Sequence, residues 1–149
     1  MFIEQLKFKN ISFNYLFENI SSFLKLEKSS NLEPTWENSN YLYNLDNKFI
    51  SSLAILDNEF LIGFIICSKK ENCLHIHRFI IANEYQGKGI GKLLLREFIK
   101  NSKIKFREVS LKVSTSNKAA IAFYLNNSFE ILDDDNNFMY MIHNLGNDE

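Results

Sequence analysis

Three glycines at alternate positions are the residues of this chain whose spacing most clearly suggests chemistry. Gly87, Gly89 and Gly91 are three of only five glycines in 149 residues, and they lie within the segment "QGKGIGK". Glycine accepts unusual φ values and lets a ligand approach the backbone closely. An apolar, helix-like run follows at once, and the unpaired N–H groups of a helix N-terminus favour phosphate and other anions. The segment therefore predicts an anion-binding loop, which Lys88 and Lys92 would strengthen.

Two common phosphate-binding patterns do not fit this loop. The nucleoside-triphosphate loop requires G-x-x-x-x-G-K-(S/T), but the fifth residue after Gly87 is Lys92, and Leu93 follows it. The dinucleotide fingerprint requires G-x-G-x-x-G, and Gly91 comes one residue too early for it. A flexible turn is a third interpretation, which three alternate glycines in such a glycine-poor chain disfavour.

A third pattern, (Q/R)-x-x-G-x-(G/A), does match Gln86 to Gly91 between a predicted strand and a predicted helix. The segment "SNKAAIAFYLNNSF", residues 116–129, follows at a suitable distance. Together they resemble the GCN5-related N-acetyltransferase (GNAT) family, most closely from Leu74 to Phe129. The resemblance implies one N-acetyltransferase domain over residues 1–149, with acetyl-CoA as the acyl donor and no metal. It also implies a small-molecule or peptide amine as acceptor.

The resemblance also implies where acetyl-CoA binds. It would lie in a V-shaped gap between two strands, Cys73–Ala82 and Glu108–Ser114, with its pyrophosphate on the amides of the glycine loop. Tyr124 would stand beside the thioester sulfur and donate a proton to the leaving thiolate. The implied cofactor contacts are Phe79, Ile80, Ile81, Gln86, Gly87, Lys88, Gly89, Ile90, Gly91, Lys92, Asn117 and Tyr124.

Helix geometry agrees with the last two of these contacts. Asn117 and Tyr124 are seven residues apart, so they share one helix face at about 10 Å along the axis. One departure from the family is Ser128, because glycine usually precedes the phenylalanine that stands here at Phe129. A serine at a helix C-terminus carries a mild penalty if its φ is positive.

Cys73, His75 and His77 alternate along a predicted strand and should share one of its faces. A zinc site with Cys67 is one interpretation, but neighbouring side chains at this spacing are far apart for one ion, and we expect no metal. In the family a carboxylate on this strand often accepts the amine's proton. His77 and His75 stand where it would be, and their ordinary pKa is near neutrality. Each is therefore a candidate base or holder of a relay water, or simply a half-buried strand histidine.

Composition limits the class of protein. Seventeen basic and eighteen acidic residues give a net charge of -1, which argues against nucleic-acid binding by bulk charge. No apolar run approaches the roughly 18 residues of a membrane span. The first residues do not read as a signal peptide, and two cysteines are too few for a disulfide framework. We expect a cytoplasmic monomer or homodimer with no nucleic-acid or membrane partner.

The elements that must position these residues follow from periodicity and turn signals. They predict an α/β fold in one domain, with a mixed, mostly antiparallel sheet and a central parallel βαβ crossover, the acyl-CoA N-acyltransferase fold. The expected elements are a strand at 2–8, one or two helices in Ile11–Leu26, a long loop with a short helix at Glu27–Lys48, a hairpin turned at Asp57–Asn58, a strand at Cys73–Ala82, a helix at Lys88–Asn101, a strand at Glu108–Ser114, a helix within 116–129, and strands at Glu130–Leu132 and Phe138–Ile142.

The acceptor is the least determined part of the reaction. The resemblance implies that the first helices and the following loop bind it. In that loop Trp36, Tyr41 and Tyr43, with Glu33 and Glu37, could hold a cationic amine, or they could be ordinary loop anchors and surface charges. Polyamines, amino acids, aminoglycosides and protein N-termini all remain candidate acceptors. Two other functions also remain: a non-catalytic acyl-CoA sensor, and a partner-binding domain whose glycine loop is only a turn.

Overall fold

A seven-stranded mixed sheet organises residues 5–146, the part of the chain that the computed structural model describes. Its strand order is β1-β2-β3-β4-β5-β7-β6, and only the β4–β5 pair is parallel. This confirms the predicted mixed sheet with a central parallel crossover. The strands are β1 (Leu6–Asn10), β2 (Leu53–Asp57), β3 (Phe60–Lys70), β4 (Cys73–Ile81), β5 (Glu108–Ser114), β6 (Glu130–Asp134) and β7 (Phe138–Asn144).

Helices cover both faces of the sheet, and each face has its own apolar core. On one side, here called the α5 face, Leu94, Leu95 and Phe98 of the crossover helix are buried against the sheet. On the other side, the α2 face, Leu16, Phe23 and Tyr41 are buried. The helices are α1 (Phe13–Glu18), α2 (Ile20–Ser29), α3 (Asn38–Leu42), α4 (Lys48–Ser51), α5 (Ile90–Ser102) and α6 (Lys118–Asn126).

Two predicted elements differ from the structure near the N-terminus. The first strand was expected at residues 2–8, whereas β1 begins at Leu6 and ends at Asn10; residues 1–4 lie outside the described range. The loop expected at Glu27–Lys48 does contain one short helix, α3, but α2 continues into this segment as far as Ser29 and α4 begins at Lys48. Glu27 is buried in an ion pair with Arg78, 51 residues away, so a tertiary contact stabilises the last turn of α2.

The two central strands separate after a short parallel ladder. β4 and β5 pair only from Cys73 to Ile76 on one side and from Glu108 to Leu111 on the other. β4 continues to Ile81 and stays paired with β3, but it has no β5 partner there. The strands therefore open into the V-shaped gap that the family resemblance implies.

A β-bulge lies in β4 at the start of this gap. Ile66 of β3 is opposite Arg78 and the next residue is opposite Ile76, so His77 has no partner in β3. A bulge interrupts the alternation of side chains. As a result Ile76 and Phe79 both pack in the core of the α5 face, whereas His77 and Arg78 both lie beside Trp36 on the α2 face.

Candidate functional site

The glycine loop has the backbone conformation that its sequence suggests. Gly87 and Gly89 have φ values of 75° and 84°, a region that residues with a Cβ rarely adopt. A Cβ at either position would meet no protein atom within 4 Å, so the space in front of the loop is open. Gly91 is different, because its φ is not positive and a Cβ would make an ordinary 3.6 Å contact with Phe123.

Six successive N–H groups, from Gly87 to Lys92, form no hydrogen bond within residues 5–146. The first bond of α5 runs from the Leu93 N–H to the Gly89 carbonyl at 3.1 Å. Unpaired amides at the start of a 13-residue helix attract a phosphate group. The predicted Gln86 contact is partly used within the protein, because its side-chain N–H group donates to the Ile81 carbonyl at 2.9 Å.

A cleft of about 700 Å³ opens beside this loop on the α5 face, between β4 and α6. Its lining includes nine of the predicted cofactor contacts: Phe79, Ile81, Gln86, Gly87, Gly89, Gly91, Lys92, Asn117 and Tyr124. Lys88 is exposed outside the lining, and the Ile80 and Ile90 side chains are buried in the two cores. A ligand in the cleft could therefore contact only the backbone of those two isoleucines.

Sequence reasoning missed several lining residues. They are Tyr85, Ala119, Ala120, Phe123, Asn126 and Asn127. Five of the six lie on α6 or at its C-terminus, and the helical period that places Asn117 beside Tyr124 could have found them. Tyr85 gave no such signal; its hydroxyl donates to the Asp57 carboxylate at 2.6 Å, which fixes the ring at the edge of the cleft.

Asn117 and Tyr124 lie on the cleft side of α6, as their spacing predicts. The Asn117 side-chain oxygen caps the helix by accepting the Ala120 N–H at 3.2 Å, which leaves its amide N–H group for a ligand. The Tyr124 ring packs against Phe79 and Phe129. Burial raises the pKa of its phenol above the ordinary value, and no hydrogen bond within residues 5–146 contributes to that shift. Tyr124 is thus a protonated, unengaged donor.

His75 and His77 lie on the opposite side of the gap, on the α2 face. His75 Nδ1 is 2.8 Å from Ser110 Oγ, and His77 Nε2 is 2.7 Å from Ser68 Oγ. Burial and nearby cations lower the pKa of both imidazoles to about 4. Both rings are therefore neutral at physiological pH, where they can hold a water molecule or accept a proton, but as weaker bases than an exposed histidine.

The aromatic residues of the N-terminal loop are not an open cage for a cation. Tyr41 is fully buried, and its hydroxyl donates to Glu27 at 2.5 Å. The Trp36 ring is already contacted by two cations of the protein, with Arg78 at 4.8 Å and Lys48 at 5.5 Å from its centroid. For these two aromatics the cationic-amine interpretation is wrong, and the loop-anchor interpretation is confirmed.

No group of three His, Cys, Asp or Glu side chains in residues 5–146 is arranged to hold a metal ion. Cys67 and Cys73 are both free thiols. Over the same residues, no helix has the length and apolar character needed to cross a membrane.

Solved structures share this fold. Ribosomal-protein-S18-alanine N-acetyltransferase from Escherichia coli is 17% identical with a TM-score of 0.81, covering 97% of this chain and 96% of the other. Diaminobutyrate acetyltransferase from Paenibacillus lautus was solved with L-2,4-diaminobutyric acid and coenzyme A. It is 14% identical with a TM-score of 0.77, and the match covers 97% of this chain and 98% of the other. The PaiA N-acetyltransferase from Thermoplasma acidophilum, in complex with coenzyme A, is 22% identical with a TM-score of 0.75, covering 93% and 98%.

Sequence comparison gives the family directly. No curated protein sequence matches the chain, but residues 16–129 match the sequence model of the acetyltransferase (GNAT) family. That match covers more than half of the 149 residues, and it includes the glycine loop and α6. The chain therefore belongs to the acetyltransferase (GNAT) family and is an acetyl-CoA-dependent N-acetyltransferase.

Proposed function

We propose that this enzyme acetylates an amine of a small molecule or a peptide by direct attack in a ternary complex. The observation that carries this proposal is the gap between β4 and β5, which has different chemical groups on its two sides. A cleft with open amides and Tyr124 lies on the α5 face, and two neutral histidines lie on the α2 face. A donor and an acceptor could therefore meet in the gap from opposite faces of the sheet.

The residues of the cleft fit acetyl-CoA, which supplies the acyl group as a thioester. We assign the pyrophosphate to the free amides between Gly87 and Lys92, with the Lys92 ammonium beside them. β4 has no β5 partner from His77 to Ile81, so its backbone is open to hydrogen bonds with an extended arm, and an N–H there could polarise the thioester carbonyl. Asn117 would contact the same arm through its free amide group.

The acceptor is assigned to the α2 face. Here β5 and β7 present Ser110, Lys112 and Tyr140, none of which is fully buried. His77 is the first β4 residue beyond the last parallel pair, so we assign it the amine's proton, taken directly or through water, with His75 beside it. Because both imidazoles are already neutral, a rate that rises across neutral pH would report deprotonation of the acceptor amine.

Thiol chemistry supports direct attack rather than an acyl-enzyme. Burial raises the pKa of Cys67 to about 12, and burial likewise raises the pKa of Cys73. The thiolate is the nucleophilic form, so neither cysteine is activated at neutral pH. The nitrogen lone pair of the amine would form the new bond as the carbon–sulfur bond breaks, and Tyr124 would donate its hydrogen bond to the departing sulfur.

Two structural neighbours support the acceptor class. One is named for the alanine of a ribosomal protein, and the other was solved with a diamino acid; both substrates present an amine. We also propose that the enzyme works as a single domain in the cytoplasm, as a monomer or homodimer. The net charge of -1 supports the absence of a nucleic-acid partner.

The test is a screen of amines with acetyl-CoA, in which free thiol is measured and the acetylated product is identified by mass spectrometry. We expect turnover with at least one primary amine. Coenzyme A that raises the melting temperature without any turnover would instead favour an acyl-CoA sensor. No thermal shift at all would favour a partner-binding domain that uses the glycine loop only as a turn.

A further inference from the structure

We infer that the acceptor carries an anionic group close to its reactive amine, and that Lys112 and Lys70 bind it. This inference rests on the proposed function and narrows the acceptor class. It favours amino acids and peptides with an acidic residue near the N-terminus over polyamines and other polycations. According to this inference, the two lysines determine which acceptor is bound, and other groups carry out the chemical step.

Lys112 lies at the edge of the gap, on the face where the acceptor is assigned. It follows Leu111, the last β5 residue in the parallel ladder, and its cross-strand neighbour in β7 is Tyr140. Side chains alternate along a strand, so Lys112 shares a face with Ser110, the hydrogen-bond partner of His75. Its ammonium lies 4.4 Å from the centroid of the Phe138 ring, above the exposed surface of β7.

Lys70 approaches the same histidines from the other side. It lies opposite Cys73 in the β3–β4 ladder and two residues after Ser68, whose hydroxyl contacts His77. Lys70 therefore projects on the α2 face from β3, and Lys112 projects on it from β5. The two exposed lysines flank the β4 segment that carries His75.

Neither ammonium is neutralised by a carboxylate. Within residues 5–146 the only ion pairs closer than 4.0 Å are Lys7–Glu59 and Arg78–Glu27. The buried Lys48 ammonium is engaged as well, by the backbone carbonyls of residues 40, 41 and 43. On the α2 side of the gap, Lys70 and Lys112 are thus the cations that remain available to a ligand.

The electrostatic environment of the histidines agrees with this placement. Apart from burial, the charges that lower the pKa of His75 are Lys70 and Lys112. Those that lower the pKa of His77 are the neighbouring His75 and the cations Lys70, Lys48 and Arg78. No carboxylate contributes to either shift, so a dicationic acceptor would place its second ammonium in a region of positive potential.

Glu108 of β5 shares this face, since it lies two residues before Ser110 and in register with Cys73, but it forms no ion pair with Lys70 or Lys112. The other carboxylates on this face are farther from the reacting groups. Glu130 and Asp133 of β6 lie in register with Ile142 and Tyr140 of β7, which places them two strands, or about 10 Å, from β5. Asp135 is near enough to Lys112 for that lysine to lower its pKa, although backbone N–H groups are the larger cause. The Asp135 Oδ1 atom accepts hydrogen bonds from the backbone N–H groups of Asn137 and Phe138. None of the three forms an ion pair with Lys112.

The test compares acceptors that differ only in charge. Two matched series are suitable: γ-aminobutyrate, its amide and 1,4-diaminobutane, and C-terminally amidated peptides that begin Ala-Glu, Ala-Gln and Ala-Lys. The measured quantity is kcat/KM, corrected to the free-amine concentration of each acceptor. We expect the kcat/KM of the anionic member of at least one series to exceed that of the neutral member by about twofold to fivefold, the range of an exposed ion pair. The KM of the anionic acceptor should rise with ionic strength, because salt screens the ion pair.

Variants locate the effect. Lys112→Met and Lys70→Met should each raise KM for the anionic acceptor by about twofold to fivefold and leave KM for the neutral one nearly unchanged. Lys112→Glu should reverse the preference, so that kcat/KM is higher for the cationic acceptor than for the anionic one. Lys100→Met is the matched control, because Lys100 is exposed on α5, the helix that covers the other face of the sheet; it should leave KM unchanged for every acceptor.

Two results would overturn the inference alone, with acetyl transfer intact. One is wild-type enzyme that prefers neutral or cationic acceptors in both series. The other is lysine variants that lower kcat/KM equally for all three charges, since that would indicate a structural role. The absence of turnover with every amine would remove the proposed function, and the inference with it.

Discussion

The two sides of the β4–β5 gap are built in different ways. The α5 side is built mainly from two continuous segments: the glycine loop at residues 86–92, which contributes backbone N–H groups, and α6, which contributes side chains. The α2 side depends on side chains from β3, β4, β5 and the N-terminal loop, brought together from distant parts of the chain. A site of the first kind can be recognised from local sequence, whereas a site of the second kind needs the tertiary structure.

The bulge at His77 connects these two sides. It lets β4 present Phe79 to the cleft and His77 to the α2 face within three residues. The surroundings then differ in charge as well as in shape. The cleft contains unpaired amides and Tyr124, whose pKa burial raises. The α2 side contains neutral histidines, whose pKa burial and nearby cations lower. The predictions below test each side separately, from the largest expected effect to the smallest.

Tyr124→Phe should have the largest effect, and only on catalysis. The ring contacts with Phe79 and Phe129 persist without the hydroxyl, so folding and coenzyme A affinity should stay nearly unchanged. Loss of a positioned proton donor lowers kcat by about 10²–10⁴-fold. Turnover with the best amine and the thermal shift with coenzyme A measure the two effects. Tyr43→Phe, at an exposed position, is the control. An unchanged kcat would show that Tyr124 only packs in the cleft wall.

Gly89→Val should weaken coenzyme A binding by about tenfold or more. A residue with a Cβ in the left-handed region costs about 1–2 kcal/mol, and the φ of Gly89 is 84°. The added side chain would also enter the open space in front of the loop, where no protein atom lies. Isothermal titration with coenzyme A measures the loss.

Gly91→Ala is the matched control for that variant, because its Cβ would make only an ordinary contact with Phe123. It should bind coenzyme A within about twofold of wild type. A folded Gly89→Val protein that binds as tightly as wild type would refute the phosphate-loop assignment. Equal losses in both variants would indicate general crowding rather than a requirement for positive φ.

The histidines of the α2 side should make the protein less stable in mild acid. Each binds its proton near pH 6.5 when unfolded but only near pH 4 when folded. Between these values the unfolded chain holds more protons, so the free energy of unfolding falls as pH drops from about 6.5 to about 4. Urea unfolding at several pH values measures the slope. The double variant His75→Asn and His77→Gln should flatten it; an unchanged slope would show that other groups cause the acid sensitivity.

Ser128→Gly should have the smallest effect, a stabilisation of about 1 kcal/mol with unchanged kcat. Ser128 follows the C-terminus of α6 with a φ of 73°. The Phe129 N–H donates to the Tyr124 carbonyl at 3.0 Å, and the Ser128 N–H donates to that of Leu125 at 3.4 Å, which is the Schellman arrangement. Thermal unfolding measures the gain. Ser21→Gly within α2 is the opposite control and should lose a similar amount.

That prediction also shows what local sequence could provide. One short segment contains both Ser128, where the family usually has glycine, and the seven-residue spacing from Asn117 to Tyr124; in the structure Ser128 has a positive φ, and Asn117 and Tyr124 both line the cleft. The interpretation of Trp36 and Tyr41 as a cation site was wrong because their partners, Glu27, Lys48 and Arg78, come from other elements. No spacing within the loop indicates those contacts.

The sequence by itself determined most of the elements, their order, the glycine loop and the cleft face of α6, because each of these depends mainly on side-chain periods, turn residues and helix hydrogen bonds within one segment. Only the tertiary structure decided that a bulge at His77 separates the histidines from Phe79. It also decided that burial lowers the histidine pKa values and that Lys70 and Lys112 flank His75. These features depend on strand register and on packing between distant segments, whose energies arise only once β3, β4 and β5 are aligned.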